Sequence, residues 1–127
     1  MRHVLLLLAL VLVLPLAAEE MKHTTDSIDQ VKTSVAAGKA VIVDVREQAE
    51  WDNGHLKAAQ LVPLSLLSKD GAEIPGTLPK DQPIYLHCRS GARSLKAAEI
   101  LKAKGYDVRP LQAGYGQLVK DGFEKAE

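Results

Sequence analysis

Two short apolar runs, AVIVDV at 40–45 and PIYLHC at 83–88, most constrain how this chain can fold. Each is rich in β-branched or aromatic residues and too short for a buried helix, and each is nearly continuous in its apolarity rather than alternating. That pattern suits a strand covered on both faces, as in a parallel sheet. Helical patterns lie between and around the runs. TTDSIDQVKTSVAAGKA offers Thr25 or Asp26 as a cap, Ile28, Val31 and Val35 at helical spacing, and Gly38 as a stop. SGARSLKAAEILKAKG is the clearest helix, with Leu95, Ala98, Ile100 and Leu101 on one face and Gly105 beyond its end. EQAEWDNGH reads as one or two helical turns, AAQLVP and YDVRPL as further strands, Ser65–Ser68 as a short helix and AGYGQLVKDGF as a last one. The Gly-, Pro- and Asp-rich stretch between Ser68 and Pro83 carries no strand signal. Strands alternating with helices at this spacing predict an α/β fold with a mostly parallel central sheet flanked by helices.

At 127 residues the chain has room for one domain. Sixteen basic residues balance sixteen acidic ones, which removes the charge excess expected of a nucleic-acid binder. The first residues, MRHVLLLLALVLVLPLAAEE, have an early Arg2, an aliphatic run from Val4 to Leu14, a break at Pro15 and small Ala17 and Ala18. This is the layout of a secretory signal peptide over residues 1–18, with the domain occupying 19–127. A retained anchor is the alternative, but the run falls short of the roughly 20 apolar residues that span a bilayer. A periplasmic or secreted domain is therefore expected, with no membrane contact after cleavage.

The chain has one cysteine, so no internal disulfide can form. Cys88 is either a packed core thiol, which is common, or a reactive one. It stands at the carboxyl end of a predicted strand, where ligands bind in folds of this class. The following Arg89, Ser90, Gly91, Ala92 and Arg93 make a turn whose amides, with Gly91 permitting close approach, converge with the start of the next helix. Inward amides, a helix amino end and two guanidinium groups favour a thiolate and would bind a small anion. The dispersed histidines and single cysteine make no recognisable metal set.

CRSGAR after an aliphatic strand, DVRE and EWDNGH upstream, and GYDVRPLQAGYGQL downstream together resemble a single-domain rhodanese of the periplasmic type. The resemblance runs from about Asp26 to Phe123. It implies a three-layer rhodanese-like fold and a thiosulfate sulfurtransferase. In that reading Cys88 attacks thiosulfate and holds the transferred sulfur as a persulfide. Arg89, Ser90, Gly91, Ala92 and Arg93 bind the substrate, and cyanide or a thiol accepts the sulfur. No cofactor or metal is implied, and a monomer is expected. Arg93 is expected to matter more for thiosulfate than Arg89. The resemblance also gives Asp44 and Arg46, at the end of the first strand, the task of holding the loop by hydrogen bonds. Rhodanese-fold phosphatases use a loop one residue longer, which disfavours that reading. A non-catalytic binding module or persulfide carrier is the other alternative.

Among the remaining residues, His55 is expected to be packed and bonded to backbone or carboxylate, and His87 to face away from Cys88 by strand alternation. Trp51 is expected in the core. Gly114 and Gly116 are explained equally by tight packing and by passage of the backbone close to the loop.

Overall fold

The computed structural model describes residues 9–14 and 20–127. The expected leader therefore falls largely outside the described residues. Leu10–Leu14 are between 71% and 85% exposed and join neither core cluster. No helix among the described residues is long and apolar enough to cross a membrane.

Among the described residues nine elements follow one another: α1 (Ile28–Ala36), β1 (Val41–Asp44), α2 (Gln48–Asp52), β2 (Ala59–Leu61), α3 (Leu64–Leu67), β3 (Ile84–His87), α4 (Ala92–Ala103), β4 (Val108–Pro110) and α5 (Tyr115–Lys120). The four strands form one parallel sheet in the order β2-β1-β3-β4. β1 and β3 are central, which is why their sequences are apolar on both faces. Asp44 lies opposite His87 in register, so both strands end at the same edge.

Strand alternation divides the interior into two cores. Val43, Val45, Ile84, Leu86 and Cys88 face Leu67 of α3 and Ala97, Ala98 and Leu101 of α4. Ile42 and Tyr85 face Val31 of α1, Leu118 of α5, Leu56 and Phe123. Helices thus cover both sides of the sheet.

Two local expectations are corrected. Ser27, not Thr25 or Asp26, caps α1, its Oγ accepting the Gln30 amide at 3.1 Å. Asp26 instead accepts the Tyr85 hydroxyl at 2.6 Å and Arg109 Nη1 at 3.1 Å, because a buried phenol needs a polar partner for its tip. The buried face of α4 consists of Ser94, Ala97, Ala98 and Leu101, with Leu95 and Ile100 only half-buried. Small side chains at the contact bring the helix axis close to the sheet, so the larger residues flank the seam.

Candidate active site

The turn from β3 into α4 starts at Cys88, which is 1% exposed and lies on the α4 side of the sheet. Arg89 and Ser90 follow on the surface, and Gly91 turns the chain with a φ of 93°. Only glycine adopts that left-handed conformation without strain. Space forbids a side chain there as well, since a Cβ would sit 2.9 Å from the Gln112 carbonyl oxygen and 3.1 Å from His23 Nε2. The turn brings the Gly91 amide onto the sulfur, N–H donating to Cys88 Sγ at 3.0 Å. Ala92 then opens a 12-residue helix whose first turn contains no acidic residue, so the positive end of its dipole is uncancelled locally. The arrangement can stabilise negative charge on a sulfur atom at this position.

The outer side of the same turn is clamped. The Gly91 carbonyl accepts from His23 Nε2 at 2.8 Å and lies 2.8 Å from Ser94 Oγ, whose single proton is shared with the Leu111 carbonyl at 3.0 Å. Neither contact is foreseen in the sequence. A serine bonding back to a carbonyl three residues earlier is a recognisable local habit. His23, 68 residues from Gly91, leaves no local signal. On the inner side the Tyr115 amide donates to the Cys88 carbonyl at 2.9 Å. A Cβ on Gly114 would overlap the Arg89 carbonyl oxygen, so close backbone approach is what requires this glycine. Gly116 has nothing among the described residues within 4 Å of such a Cβ and is under no comparable constraint.

The two arginines of the loop part company. Arg93 reaches Glu50 of α2 in a two-pronged pair, Nη1 to Oε1 at 2.5 Å and Nη2 to Oε2 at 2.9 Å. These bonds hold the Glu50 carboxyl down at about 2 against the opposing effect of desolvation. Glu50 also accepts the Glu47 amide in the capping box of α2. No local pattern in the sequence marks Glu50, because its partner is 43 residues away. Arg89 lines a cleft of about 490 Å³ together with Arg46, Glu50, Gly54 and Tyr115. Among the described residues no carboxylate lies within ion-pair distance of Arg89.

Asp44 and Arg46 are 0% and 5% exposed, so theirs is not a surface pair. Arg46 Nε lies 3.0 Å from both Asp44 oxygens, and Nη2 donates to Oδ2 and to the Gly54 carbonyl, each at 2.8 Å. The guanidinium carbon stands 4.4 Å from the centre of the Tyr115 ring. None of these bonds goes to the loop from Cys88 to Arg93. The link runs through Tyr115, stacked on Arg46 and bonded to the Cys88 carbonyl by its amide.

His87 is fully buried on the opposite face of β3 from Cys88, its Nε2 3.8 Å from Asp44 Oδ2, and among the described residues neither ring nitrogen makes a hydrogen bond of normal geometry. Burial pushes its pKa below the usual 6.5, with Asp44 opposing. The unfolded chain therefore takes up a proton near pH 6.5 that the folded protein resists, so stability present above that pH is lost as pH falls through it. The unfolding free energy is expected to fall between about pH 7.5 and about pH 5.5, by up to about 1.4 kcal/mol per pH unit, and is followed by the thermal midpoint. His87→Leu should flatten that slope, and an equal slope in both proteins would remove this assignment.

His55 is bonded to backbone, its Nδ1 3.0 Å from the Trp51 carbonyl, and its ring stacks on Trp51 at 3.6 Å and 6°. Trp51 is half-buried and belongs to neither core cluster, contrary to the expectation of core packing. The helix that carries it buries no residue, and the indole packs face to face against the imidazole instead of into the core.

The family described as "Rhodanese-like domain" matches residues 27–121. "Thiosulfate sulfurtransferase 18" of Arabidopsis thaliana is 36% identical over 107 residues, covering 76% of this chain and 78% of that protein. "Probable adenylyltransferase/sulfurtransferase MoeZ" of Mycobacterium tuberculosis is 35% identical over 100 residues, 77% of this chain, although the match spans only 25% of that protein. Among solved structures, a rhodanese-like domain protein from Staphylococcus aureus superposes with a TM-score of 0.61 at 28% identity, covering 76% of this chain and 92% of the other.

Proposed function

Because this chain belongs to the rhodanese-like domain family, we propose that it is a sulfurtransferase that carries sulfane sulfur on Cys88. The observation that carries this reading is the Gly91 amide directed at Cys88 Sγ at the head of α4. The names of the relatives support the same reading.

With thiosulfate as donor, the Cys88 thiolate attacks the outer sulfur. The sulfur–sulfur bond of thiosulfate breaks, its electron pair leaves with sulfite, and a cysteine persulfide remains. A nucleophilic acceptor, cyanide or a thiol, then attacks the terminal sulfur and regenerates the Cys88 thiolate. The chemistry calls for no metal or organic cofactor. The Gly91 amide and the amino end of α4 would stabilise the charge carried in turn by the thiolate, the departing sulfite and the persulfide. Because Sγ lies beneath the turn, the donor would enter where Arg89 and Ser90 are exposed.

Arg89 is the cation better placed to meet a dianion, since it borders the cleft while the Arg93 charge is matched by Glu50. This reverses the order expected from the sequence. Arg89→Ala is expected to raise the KM for thiosulfate by about tenfold, and Arg93→Ala by less, given that a hydrogen bond to a charged group contributes about 1.5–3 kcal/mol. Steady-state rates against thiosulfate concentration check this, and a larger effect at Arg93 would restore the first order.

The burial of Cys88 favours a second reading, a persulfide carrier or a non-catalytic binding module. Mass measurement on the intact chain separates them. One sulfur gained from thiosulfate and lost to cyanide or a small thiol supports the transferase. Sulfur gained but retained supports the carrier, and an unchanged mass supports the binding module. Phosphate release from an aryl phosphate, lost in Cys88→Ser, would point to a phosphatase instead.

Export belongs to the same proposal and is supported by the exposed apolar residues 10–14, which contribute nothing to the core. A chain recovered outside the cytoplasm should begin near Glu19, and an intact Met1 there would argue for retention.

A further inference from the structure

We propose that His23, which precedes the family-matched residues 27–121, is a positioning residue for the sulfur-transfer turn; the inference rests on the proposed anion chemistry of Cys88. A carbonyl oxygen only accepts, so His23 Nε2 carries the proton and donates to the Gly91 carbonyl at 2.8 Å. Ser94 Oγ contacts the same oxygen at 2.8 Å. Two donors on one side of the Gly91–Ala92 peptide draw its oxygen away from the sulfur. In a trans peptide the N–H points opposite to the C=O, so the Ala92 N–H is turned toward the inner side of the loop. Gly91 is left-handed and Ala92 begins the right-handed helix, an alternation that gathers successive amides into an anion-binding concavity. The Gly91 amide already points into it, donating to Cys88 Sγ.

His23 can do this because its own segment is fixed. The Thr24 amide donates to the Pro110 carbonyl at 2.8 Å, and the Asp26 carboxylate joins the Tyr85 hydroxyl to Arg109. The lead-in to α1 is thereby strapped to β3 and β4, with its imidazole on the turn. A Cβ at Gly91 would approach His23 Nε2 at 3.1 Å, so turn and imidazole are fitted to each other. The strap supplies one of the two outer donors to the Gly91 carbonyl from a segment outside the matched residues.

The test uses the full chain with His23→Leu and His23→Ala, which lack the donor, and His23→Gln, whose amide nitrogen can replace Nε2. Cys88 is the only cysteine, so alkylation reports on it alone. Anionic iodoacetate and neutral iodoacetamide are compared, because oriented amides assist the anion selectively whereas general loosening speeds both reagents alike. In the donor-less variants the iodoacetate-to-iodoacetamide rate ratio is expected to fall at least about threefold, and single-turnover sulfur loading from thiosulfate to slow about tenfold. His23→Gln should stay within about twofold of the unaltered protein in both. An unchanged ratio in the donor-less variants, an equal loss in His23→Gln, or failure of both donor-less variants to fold would overturn the proposal. If thiosulfate fails to load even the unaltered chain, the sulfurtransferase reading falls, while the alkylation ratio still decides the role of His23.

Discussion

Cys88→Ser is expected to abolish sulfur transfer, by on the order of a thousandfold or more, without unfolding the protein. The substitution removes one kind of chemistry while nearly preserving shape. A hydroxyl is hardly ionised near neutrality and is a far poorer nucleophile than a thiolate, and an Oγ–S adduct would not be the persulfide that the second step needs. The Gly91 amide that donates to Sγ at 3.0 Å can donate to Oγ as well, so the turn keeps its inner contact. The side chain is 1% exposed and faces aliphatic neighbours, so the new hydroxyl should lower stability by about 1–3 kcal/mol. Intact-mass measurement after thiosulfate treatment, beside a thermal melt, checks both parts. Sulfur gained by the folded serine variant would place the acceptor atom elsewhere and remove Cys88 from the mechanism.

Gly114→Ala should lower stability by about 3 kcal/mol or more and cut transfer in whatever protein still folds. The methyl group would overlap the carbonyl oxygen of Arg89 and come within 3.3 Å of that of Cys88. These are backbone atoms, with no rotamer to escape into, so either α5 must retreat or the turn must be displaced. Retreat would stretch the hydrogen bond from the Tyr115 amide to the Cys88 carbonyl, 2.9 Å in the native fold, and would pull Tyr115 off Arg46. Displacement would move the Gly91 amide from the sulfur. Gly116→Ala is the control two residues on. It meets nothing within 4 Å and lies inside α5, where alanine is the better helix former by about 1 kcal/mol. Denaturant midpoints for the two variants give the comparison, and similar values would mean that the Gly114 contact constrains nothing.

Much of the fold is legible in the chain because it depends on short-range pattern. The apolar runs around Val41–Asp44 and Ile84–His87 become the central parallel strands, each bounded within a residue or two of the expected limits. Gly105 lies just beyond α4 as expected, with a φ of 93°. The cysteine turn is legible for the same reason: Cys88, Gly91 and the start of α4 lie within five residues, and their geometry follows from strand end, left-handed turn and helix start. Other residues mislead. Arg93 reads as a ligand for anions until Glu50 is brought to it from α2, and Asp44 with Arg46 reads as a pair acting on the loop, whereas their bonds close on Gly54. Trp51, the single tryptophan, reads as core, yet α2 buries no residue and stacks it on His55.

By itself the sequence determines the alternation of strand and helix, the face on which each strand residue lies, and the place of the single thiol at a strand's carboxyl end. Periodicity and turn chemistry act between near neighbours, so a linear reading captures them. Only the tertiary structure decides which cation is spent on a carboxylate, which carbonyl is clamped by His23 from 68 residues away, and which of two nearby glycines touches the turn. Those contacts depend on directions and ångström-scale distances between segments that meet only when the sheet assembles, and no local pattern encodes them.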